Sequence, residues 1–478
     1  MNRFHVLILT IAASCGLSAA AQSPVRFTTT DTTLQRTFDW ARDMALSYVH
    51  DGSDPVGLWY EAALPGRDAF CMRDVSHQVV GAALLGLDEH NRNMLSRIAS
   101  NISESKDWCS YWEIDRLDRP APCDYGNDKA FWYNLPANFD VMRACKLVYD
   151  WTGDSTYLTL PEFVDFYRHT ARDYAARWHL SPDSIMSRQR FMNTPEPFDR
   201  KNAFHTCRGL PSYAESFSGI TVAIDLIGAI MKGYEAYADI CRLNGDTDEA
   251  GFALCNADAA RNLIETTWWD EASKRYNTYY TADGNFHRGE GLPYMLLIDA
   301  VRVPDRAAAT VADVLAGSWN VENLSAFPAF LYRLGYVADA YRIVNLLPTM
   351  KRSDYPEVSY GALEGIVCGS MGLVASAADR TFATCHRPAD PSTCSVVEGL
   401  RFNGGNLTVA HNGVKSSRLV NNTSLPLKWI ASFVGKGRVV DGDGHELSTF
   451  VSTDIAGNLI TTVSLTVAPG ASAEATIR

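Results

Sequence analysis

Twelve segments with helical periodicity follow one another between Leu34 and Leu373, and this succession constrains the fold more than any other feature. Helices joined by short links pack as antiparallel neighbours. Twelve helices in consecutive pairs are what a ring of six hairpins requires, so the sequence predicts a mainly α fold, an (α/α)6 toroid. The predicted helices span residues 34–50, 72–86, 88–104, 131–150, 158–179, 217–244, 247–266, 291–300, 305–316, 322–335, 336–348 and 358–374.

The connections between these helices fall into two classes of length. Short links at 87, 245–246 and 335 leave room for little more than a turn. The long connections are rich in Trp, Tyr, Arg and carboxylates, and long loops of that kind usually carry function. Short links close one rim of a ring while long loops form a cleft on the other. The long connections are 51–71, 105–130, 180–216, 267–290 and 349–357.

Beyond residue 380, helical periodicity gives way to short runs that alternate apolar and polar residues. Such runs occur at 400–411, 417–423, 427–434 and 459–467, and turns rich in Gly, Asn and Asp separate them. This pattern predicts a small C-terminal antiparallel β-sandwich domain, with Trp429 in its core. The predicted organisation is a signal peptide at 1–21, a helical toroid domain at 22–380 and a β-sandwich domain at 381–478.

The first 21 residues have the composition of a secretory signal. Arg3 supplies the positive start, residues 6–13 an apolar run, and residues 19–21 a small-residue cleavage site. We therefore expect an exported protein, periplasmic or secreted. Anchoring through a lipid on Cys15 is the less favoured alternative, because residues 12–14 lack the usual large aliphatic residue. No later segment has 18 uninterrupted apolar residues, so no membrane span is predicted.

The cysteine content favours disulfides over a metal site. Ten cysteines remain once Cys15 is removed, an even number, and disulfides are the usual state in an oxidising compartment. The sequence has no CxxC and no HExxH, so a metal site is not favoured. Sequence alone does not fix the connectivity. The local pairs are Cys109 with Cys123, Cys241 with Cys255, and Cys385 with Cys394.

Charge and aromatic content narrow the partners. The chain has 55 acidic and 43 basic residues and a formal charge of −12, without a clustered basic stretch, so a nucleic acid partner is not expected. Eleven Trp and 21 Tyr residues indicate aromatic-lined surfaces. The absence of GxSxG, GxxxxGK[ST] and GxGxxG motifs argues against serine hydrolases of the elbow type, phosphate-loop enzymes and dinucleotide-binding enzymes. The sequence does not indicate an oligomeric state.

The first cluster of candidate site residues lies in the segment Leu58–Gln78. Two Arg-Asp pairs stand six residues apart beside Trp and His, at the start of a predicted helix. A guanidinium donates from a rigid fork and a carboxylate accepts from hydroxyls, so such pairs can hold a polyhydroxylated ligand. The alternative is a loop held together by its own salt bridges. The candidate residues are Trp59, Arg67, Asp68, Arg73, Asp74 and His77.

The second cluster lies in residues 108–125 and continues to Trp132 and Tyr133. It sets Glu113 and Asp115 among aromatic residues and prolines. A carboxyl group against an indole surface has its pKa raised by desolvation, which suits a general acid, and aromatic faces stack on sugar rings. In the alternative, the aromatic residues belong to the core and the acids cap helices.

Acidic residues beside Tyr and Pro recur at the starts of alternate predicted helices. Glu215 follows Leu210–Ala214, Glu290 precedes a Gly-Leu-Pro-Tyr run, and Glu357 and Glu364 lie in the last helical segment. A single such Glu is more often a cap than a catalytic group. Their recurrence at one rim of a toroid favours a catalytic role for Glu215 or Glu357.

With these residues in view, the sequence resembles the six-hairpin glycosidases of bacteria that degrade glycans. Arg67-Asp68 and Arg73-Asp74 resemble the sugar-binding loop of glucoamylase- and rhamnosidase-like enzymes, and Tyr355–Gly365 resembles the last-hairpin segment that often brings the catalytic base. The resemblance implies an inverting glycoside hydrolase without a cofactor, with a mid-chain acid and a late base. It implies Glu215 as the acid and Glu357 as the base, with Glu113, Asp115 and Glu364 as alternates.

The expected function is therefore an exo-acting hydrolase that releases a terminal sugar from an oligosaccharide or polysaccharide. Two clustered Arg residues suit a uronic acid such as glucuronate, while a deoxyhexose such as rhamnose stays equally open. One alternative is a toroidal polysaccharide lyase that uses Tyr60, His77, Arg67 and Arg73 on a uronate. A second alternative is a non-catalytic glycan-binding protein.

Overall fold

The computed structural model describes residues 25–214 and 219–478. The predicted signal peptide at 1–21, Cys15 and the predicted acid Glu215 therefore lie outside the described residues. The described α-helices are α1 Thr32–Leu46, α2 Met72–Leu84, α3 Asp88–Ser100, α4 Ala137–Thr152, α5 Thr156–Thr159, α6 Pro161–His169, α7 Ala175–Arg177, α8 Ala203–Cys207, α9 Ile224–Leu243, α10 Thr247–Leu263, α11 Leu292–Leu297, α12 Pro304–Ala316, α13 Val321–Leu334, α14 Val337–Leu346 and α15 Pro356–Glu364.

Short strands accompany the helices before residue 300, and longer strands follow the last helix. None of the helices in the described part of the chain is long and apolar enough to cross a membrane. The strands are β1 Arg26–Thr29, β2 Val49–Asp51, β3 Leu58–Tyr60, β4 Ala69–Cys71, β5 Glu113–Asp115, β6 Tyr125–Asn127, β7 Ala130–Phe131, β8 Ile220–Ala223, β9 Trp269–Asp270, β10 Arg275–Tyr276, β11 Tyr279–Thr281, β12 Phe286–His287, β13 Val374–Ser376, β14 Thr381–Cys385, β15 Cys394–Phe402, β16 Gly405–Asn412, β17 Ser416–Asn422, β18 Leu427–Val434, β19 Val439–Asp441, β20 Glu446–Leu447, β21 Phe450–Thr453, β22 Leu459–Val467 and β23 Ser472–Ile477.

Each of the twelve predicted helices overlaps a helix of the structure. The predicted segment 158–179 corresponds to α6 and α7, which are joined by a π-helical turn. Two predicted starts are too early. Helix α4 begins only after Pro136, because proline lacks a backbone N–H to donate and is favoured at a helix start over the interior. Residues 220–223 form strand β8, paired with β11, where the β-branched Ile-Thr-Val run fits a pleated surface.

Six helices contact one another in a closed order. Helix α2 contacts α4, α4 contacts α9, α9 contacts α11, α11 contacts α13, α13 contacts α15, and α15 contacts α2 again. Glycines allow the closest approaches: a Cβ on Gly81 would lie 2.7 Å from the Tyr360 carbonyl oxygen, and one on Gly361 would lie 2.7 Å from that of Ser325. Six further helices, α1, α3, α6, α10, α12 and α14, each contact at least one of these central helices or another outer helix.

The strands after α15 form two sheets whose faces contact each other. One sheet has the order β1-β15-β16-β17-β23-β19-β20 and the other β13-β14-β18-β22-β21. All pairs are antiparallel except β14 with β18. Along β18, alternate residues Leu427, Trp429, Ala431 and Phe433 are buried, as the two-residue period of a strand requires. Strand β1 was not predicted, and it joins the chain start to the C-terminal sheet.

The three predicted disulfides are absent from the described structure, in which all ten cysteines are free. Cys109 is buried while Cys123 is exposed, and Cys241 is buried on α9 while Cys255 is exposed on α10. The members of these two pairs therefore face different surroundings, whereas Cys385 and Cys394 are both partly buried. The thiol of Cys394 donates instead to Asn412 Oδ1 at 3.1 Å.

Candidate active site

A cavity of about 500 Å³ opens at the N-terminal ends of the central helices. Each of the five long connections contributes at least one lining residue, which agrees with the predicted cleft on one rim. The volume is within the range of small-ligand sites, roughly 300–1,000 Å³. The lining includes eight of the predicted site residues: Arg67, Arg73, Asp74, His77, Glu113, Trp132, Glu290 and Glu357.

Acidic residues occupy the first turns of five central helices. They are Asp74 on α2, Asp140 on α4, Asp225 on α9, Glu322 on α13 and Glu357 on α15. A carboxylate near a helix N-terminus is stabilised by the unpaired N–H groups and the positive end of the helix dipole. Because these helix ends share one rim, the same residues that stabilise the helices collect negative charge around the cavity.

Arg73, Asp74 and Glu357 form what we call the helix-borne group, at the adjoining starts of α2 and α15. Arg73 Nε donates to Asp74 Oδ1 at 3.0 Å. Burial, together with the negative charge of Asp74, raises the pKa of Glu357 to about 8, against the opposing effect of Arg73. Burial also raises the pKa of Asp74, again opposed by Arg73. Glu357 is therefore poised to hold or release a proton near neutral pH.

Arg67, Glu113 and Asp124 form what we call the loop-borne group. These three residues line the same cavity as the helix-borne group. Arg67 Nη1 lies 2.7 Å from Glu113 Oε2 and 3.4 Å from Asp124 Oδ2. Glu113 starts strand β5, where it pairs with Cys71 of β4. Burial and the neighbouring carboxyl group of Asp124 raise the pKa of Glu113 to about 8. Glu113 therefore holds a proton near neutral pH, beside the Asp124 carboxyl group and the Arg67 guanidinium.

The donor atoms of Glu113, Cys123 and Asp124 all lie within 4.8 Å of one another, a spacing that a metal ion can use. The guanidinium of Arg67, however, already occupies the position that a cation would take between the two carboxyl groups. Burial raises the pKa of the Cys123 thiol to about 11, so this thiol is not prepared as a thiolate ligand. The arrangement fits an internal ion pair better than a metal centre.

Aromatic side chains form one wall of the cavity. Tyr213 and Tyr294 are 5.3 Å apart between ring centroids, and His77 lies 5.6 Å from Tyr294. Both tyrosine hydroxyls donate to the buried carboxylate of Asp140, one to each oxygen. Burial, followed by the charges of Arg73 and Arg143, lowers the pKa of His77 to about 3, so His77 is neutral. Asp140 therefore fixes the positions of the two tyrosine rings in the cavity wall.

Several buried polar atoms facing this region have no hydrogen-bond partner within the described structure. They are Asp225 Oδ1, Glu322 Oε2, Glu113 Oε1 and His77 Nε2. The other oxygen of Asp225 accepts from Ser212 Oγ at 2.9 Å and from the Tyr213 backbone N–H at 2.8 Å. Buried polar atoms in proteins are nearly always paired, so unpaired ones in a cavity indicate groups available to a ligand. Burial raises the pKa of Asp225 to about 6.

Three predicted binding residues serve the scaffold instead of the cavity. Trp59 is fully buried, stacks on His50 and donates to Asp54. Tyr133 is fully buried beneath the cavity wall, and its hydroxyl donates to Asn138. The aromatic character that suggested sugar contact is, at these two positions, core packing. Asp115 accepts from the backbone N–H groups of residues 117 and 119 and thereby closes a turn, which is neither the predicted sugar contact nor the helix cap weighed as its alternative.

Two further predicted residues also lie off the cavity lining. Asp68 is exposed, in a left-handed conformation with φ of 50°, and its carboxylate lies 3.7 Å from Arg116 Nε. Glu364 ends α15, one turn and more beyond Glu357, where burial raises its pKa against the charges of Arg143 and Arg333. Of the predicted alternates to the catalytic pair, only Glu113 reaches the cavity.

Five further residues line the cavity that were not among the predicted site residues: Asp124, Tyr213, Asp225, Tyr294 and Glu322. A usable signal was present in the helix starts, because an acid in the first turn marks four of the lining carboxyl groups. Asp225 was hidden in an almost wholly apolar segment, 221–234, which indicated only a buried helix. Glu322 and Asp225 can therefore be identified as site residues only once the helix starts are known to lie at one rim.

Comparison with solved structures identifies relatives by fold. The chain superposes on the GH78 family rhamnosidase of Bacillus sp. GL1 with a TM-score of 0.56 and 13% identity, over 84% of this chain and 40% of that one. It superposes on an α-L-rhamnosidase from Dictyoglumus thermophilum with a TM-score of 0.59 and 13% identity, over 96% and 51% of the two chains. A kojibiose phosphorylase from the human microbiome gives 0.54 at 9% identity, over 94% and 67%.

The names of these structures agree with the resemblance to glycosidases that the sequence indicated, and no single family is resolved among them. At 9–13% identity the likeness is one of fold. The chain spans about half or less of the length of the two rhamnosidases. No protein-family model matches the sequence. No curated protein matches it either.

Proposed function

We propose that this protein is a glycoside hydrolase that releases a terminal sugar from an oligosaccharide or polysaccharide, and that its closed order of six central and six outer helices is an (α/α)6 toroid. One observation carries the proposal. Two carboxyl groups with raised pKa, Glu113 and Glu357, line one cavity that also has an aromatic wall. Glycosidases of the inverting and retaining kinds both work with such a pair.

In the proposed mechanism Glu357 is the general base and Glu113 the general acid among the described residues. Glu113 holds a proton at neutral pH, so it can donate that proton to the leaving oxygen, and the adjacent Arg67 guanidinium then stabilises it as an anion. Glu357, once ionised, takes a proton from a water molecule that attacks the anomeric carbon. The bond to the leaving oxygen breaks as the new bond to water forms, and the configuration inverts.

The wall made by Tyr213 and Tyr294 packs against the apolar face of the sugar ring, while Asp74 and Asp225 accept from its hydroxyls. Arg73 holds Asp74 in place at 3.0 Å. Glu215, the mid-chain acid implied by the resemblance, follows directly on Tyr213-Ala214 in the sequence and lies outside the described residues. It competes with Glu113 for the role of acid.

Substrates with different leaving groups distinguish the roles of the two carboxyl groups experimentally. In a series of aryl glycosides, Glu113→Gln should keep most activity on a dinitrophenyl glycoside, whose leaving group needs no proton, and lose it on a methyl glycoside. Glu357→Ala should lose both, and azide should restore turnover with formation of an inverted glycosyl azide. If Glu215→Gln shows the leaving-group pattern and Glu113→Gln does not, Glu215 is the acid.

The two alternatives are weakened by specific residues. For a lyase, Tyr60 would have to reach the substrate, but it is fully buried and its hydroxyl donates to Asn91 at 2.7 Å. A glycan-binding protein has no need of two carboxyl groups poised near neutral pH. Turnover by the wild-type protein, lost in Glu357→Gln with glycan binding retained, would exclude a purely binding role.

We also propose that the protein acts outside the cytoplasm, on the strength of residues 1–21. N-terminal sequencing of the protein from its producing cell tests this. A mature chain that starts at Gln22 agrees with cleavage after residue 21, and a chain that keeps residues 1–21 contradicts it.

A further inference from the structure

Both guanidinium groups that line the cavity are already paired with carboxyl groups of the protein. Arg67 contacts Glu113 at 2.7 Å and Asp124 at 3.4 Å, and Arg73 donates to Asp74 at 3.0 Å. A guanidinium recognises a ligand carboxylate best when its fork is free to make two parallel hydrogen bonds. A uronate would have to compete here with carboxyl groups that the fold holds in place.

The cavity lining as a whole is rich in acid. Seven carboxyl groups face it with the two guanidinium groups, namely those of Asp74, Glu113, Asp124, Asp225, Glu290, Glu322 and Glu357. Even with Glu113 and Glu357 protonated, five carboxyl groups remain against two guanidinium groups. A ligand carboxylate entering this space would be repelled, because charges of one sign in a partly closed site are only weakly screened.

The unpaired polar atoms in the lining point to the same ligand chemistry. Asp225 Oδ1 and Glu322 Oε2 are buried acceptors that have no partner within the described residues. Asp225 is 1% exposed. Ionised carboxylate oxygens accept hydrogen bonds and cannot donate them. The partner they need is a donor, and a sugar hydroxyl is one.

We infer that the sugar bound in this cavity is a neutral, polyhydroxylated hexose or deoxyhexose and that a uronic acid is rejected. The inference rests on the proposed function and deepens it, since it chooses between the two sugar classes that the sequence left equal. It also gives the paired arginines a different role: they hold the carboxyl groups in position and leave the hydroxyl-facing oxygens available.

Matched pairs of sugars that differ only at C6 test the inference. Glucose and glucuronate, galactose and galacturonate, and mannose and mannuronate are titrated into the wild-type protein at pH 7, with rhamnose as a further neutral sugar. The 4-nitrophenyl glycosides of the same sugars report hydrolysis separately. We expect a neutral sugar to bind at least tenfold more tightly than its uronate, and the ratio to shrink between 50 and 500 mM salt.

Binding and hydrolysis have distinct outcomes. Tighter binding of any uronate than of its neutral counterpart, or binding of none of the seven sugars, overturns the inference. Hydrolysis of a uronide but of no neutral glycoside overturns it as well and leaves the hydrolase proposal standing. Binding of a neutral sugar without hydrolysis of its glycosides supports the inference and contradicts the proposed hydrolase.

A pair of neighbouring variants makes the charge argument specific. Asp124→Asn removes one carboxylate from the cavity and partly releases Arg67, so the preference for the neutral sugar should fall at least fivefold. Asp68→Asn is the matched control, because Asp68 is an exposed acid beside Arg67 in the sequence that does not line the cavity. An unchanged preference in Asp124→Asn, or an equal fall in both variants, contradicts the inference.

Discussion

The helix-borne and loop-borne groups contain the same kinds of side chain but are held in place by different structural elements. Each sets two carboxyl groups beside one arginine, and in each a Glu has its pKa raised to about 8. The helix-borne group lies on the first turns of α2 and α15, which pack so closely that Gly81 admits no Cβ against Tyr360. The loop-borne group lies on a short strand pair and a loop, joined by the ion pairs of Arg67.

This difference teaches which part of the site depends on the global fold. Glu357 keeps its position as long as the central helices pack, because its backbone is part of that packing. Glu113 and Asp124 keep theirs through a three-residue strand pairing and one guanidinium. We therefore expect substitutions in the helix-borne group to change chemistry with little change in geometry, and those in the loop-borne group to change both.

The largest effect is expected at Glu357. Glu357→Gln should lower kcat by about 10³- to 10⁴-fold, the upper part of the range for a general acid or base, with the fold intact. Glu364 lies on the same helix but does not line the cavity, so the kcat of Glu364→Gln should stay within about threefold of wild type. Steady-state kinetics and circular dichroism on the two variants decide. Equal losses in both would remove Glu357 from the chemistry.

The same substitution should raise stability, and the sign follows from the shifted pKa. In the unfolded chain Glu357 ionises near its usual pKa, whereas the folded protein keeps it protonated up to about pH 8. Its destabilising effect therefore grows as pH rises through that window and is absent below it. Glu357→Gln removes the effect, so we expect a gain of about 1–3 kcal/mol at pH 8 and almost none at pH 4. Urea unfolding at both pH values measures it.

The pH dependence of kcat/KM tests the roles of Glu357 and Glu113 separately, because each residue should control a different limb of the profile. The base Glu357 must be ionised and the acid Glu113 protonated, and both have a pKa near 8. The dependence of kcat/KM on pH should be a narrow bell centred near 8. Glu113→Gln should lower the maximum about 10²-fold and abolish the alkaline limb. A wild-type profile that is flat between pH 6 and 9 would contradict both assignments.

Arg67 offers a smaller effect that tests the weaker support of the loop-borne group. Arg67→Ala removes the cationic partner that Glu113 and Asp124 have in common, and we expect KM to rise about 10- to 100-fold. Arg67→Lys should recover part of this, because it restores the charge without the planar fork. Initial-rate kinetics on the two variants measure the effect. Wild-type KM in Arg67→Ala would return this arginine to a purely surface role.

The smallest effect is expected at Asp68. Its carboxylate is more than half exposed and lies 3.7 Å from an exposed Arg116 guanidinium. Exposed pairs of this kind contribute roughly 0–1 kcal/mol, so Asp68→Asn should change the free energy of unfolding by less than about 0.5 kcal/mol. Its kcat/KM should stay within about twofold. A large loss would mean that Asp68 reaches the ligand after all.

The helical part of the fold was predictable because apolar periodicity and capping residues act locally. Gly335, for example, ends α13 in a left-handed conformation that its sequence neighbours already indicated. Strand β1 was not, since four residues of ordinary strand composition become a strand only through pairing with β15, far away in the sequence.

For the site, sequence located the loops but not the roles within them. Arg67-Asp68 and Arg73-Asp74 look alike in the sequence, yet Asp74 faces the cavity from a helix start while Asp68 faces solvent from a left-handed turn. Which member of such a pair reaches a ligand depends on backbone direction, and this is set by tertiary packing. The same holds for Trp59 and Trp132, of which only Trp132 lines the cavity.

The pairing of β1 with β15 also affects the order in which parts of the chain can fold during synthesis. Thr29 Oγ1 donates to the carbonyl of Cys394, 365 residues further along the chain. During synthesis, the first described strand must therefore wait unpaired until almost the whole chain has been made. Helix α1, which follows β1 and packs on α15, waits for the same reason. We expect newly made chains to hold the middle hairpins first and to need a late, slow closing step that joins the two ends of the described structure.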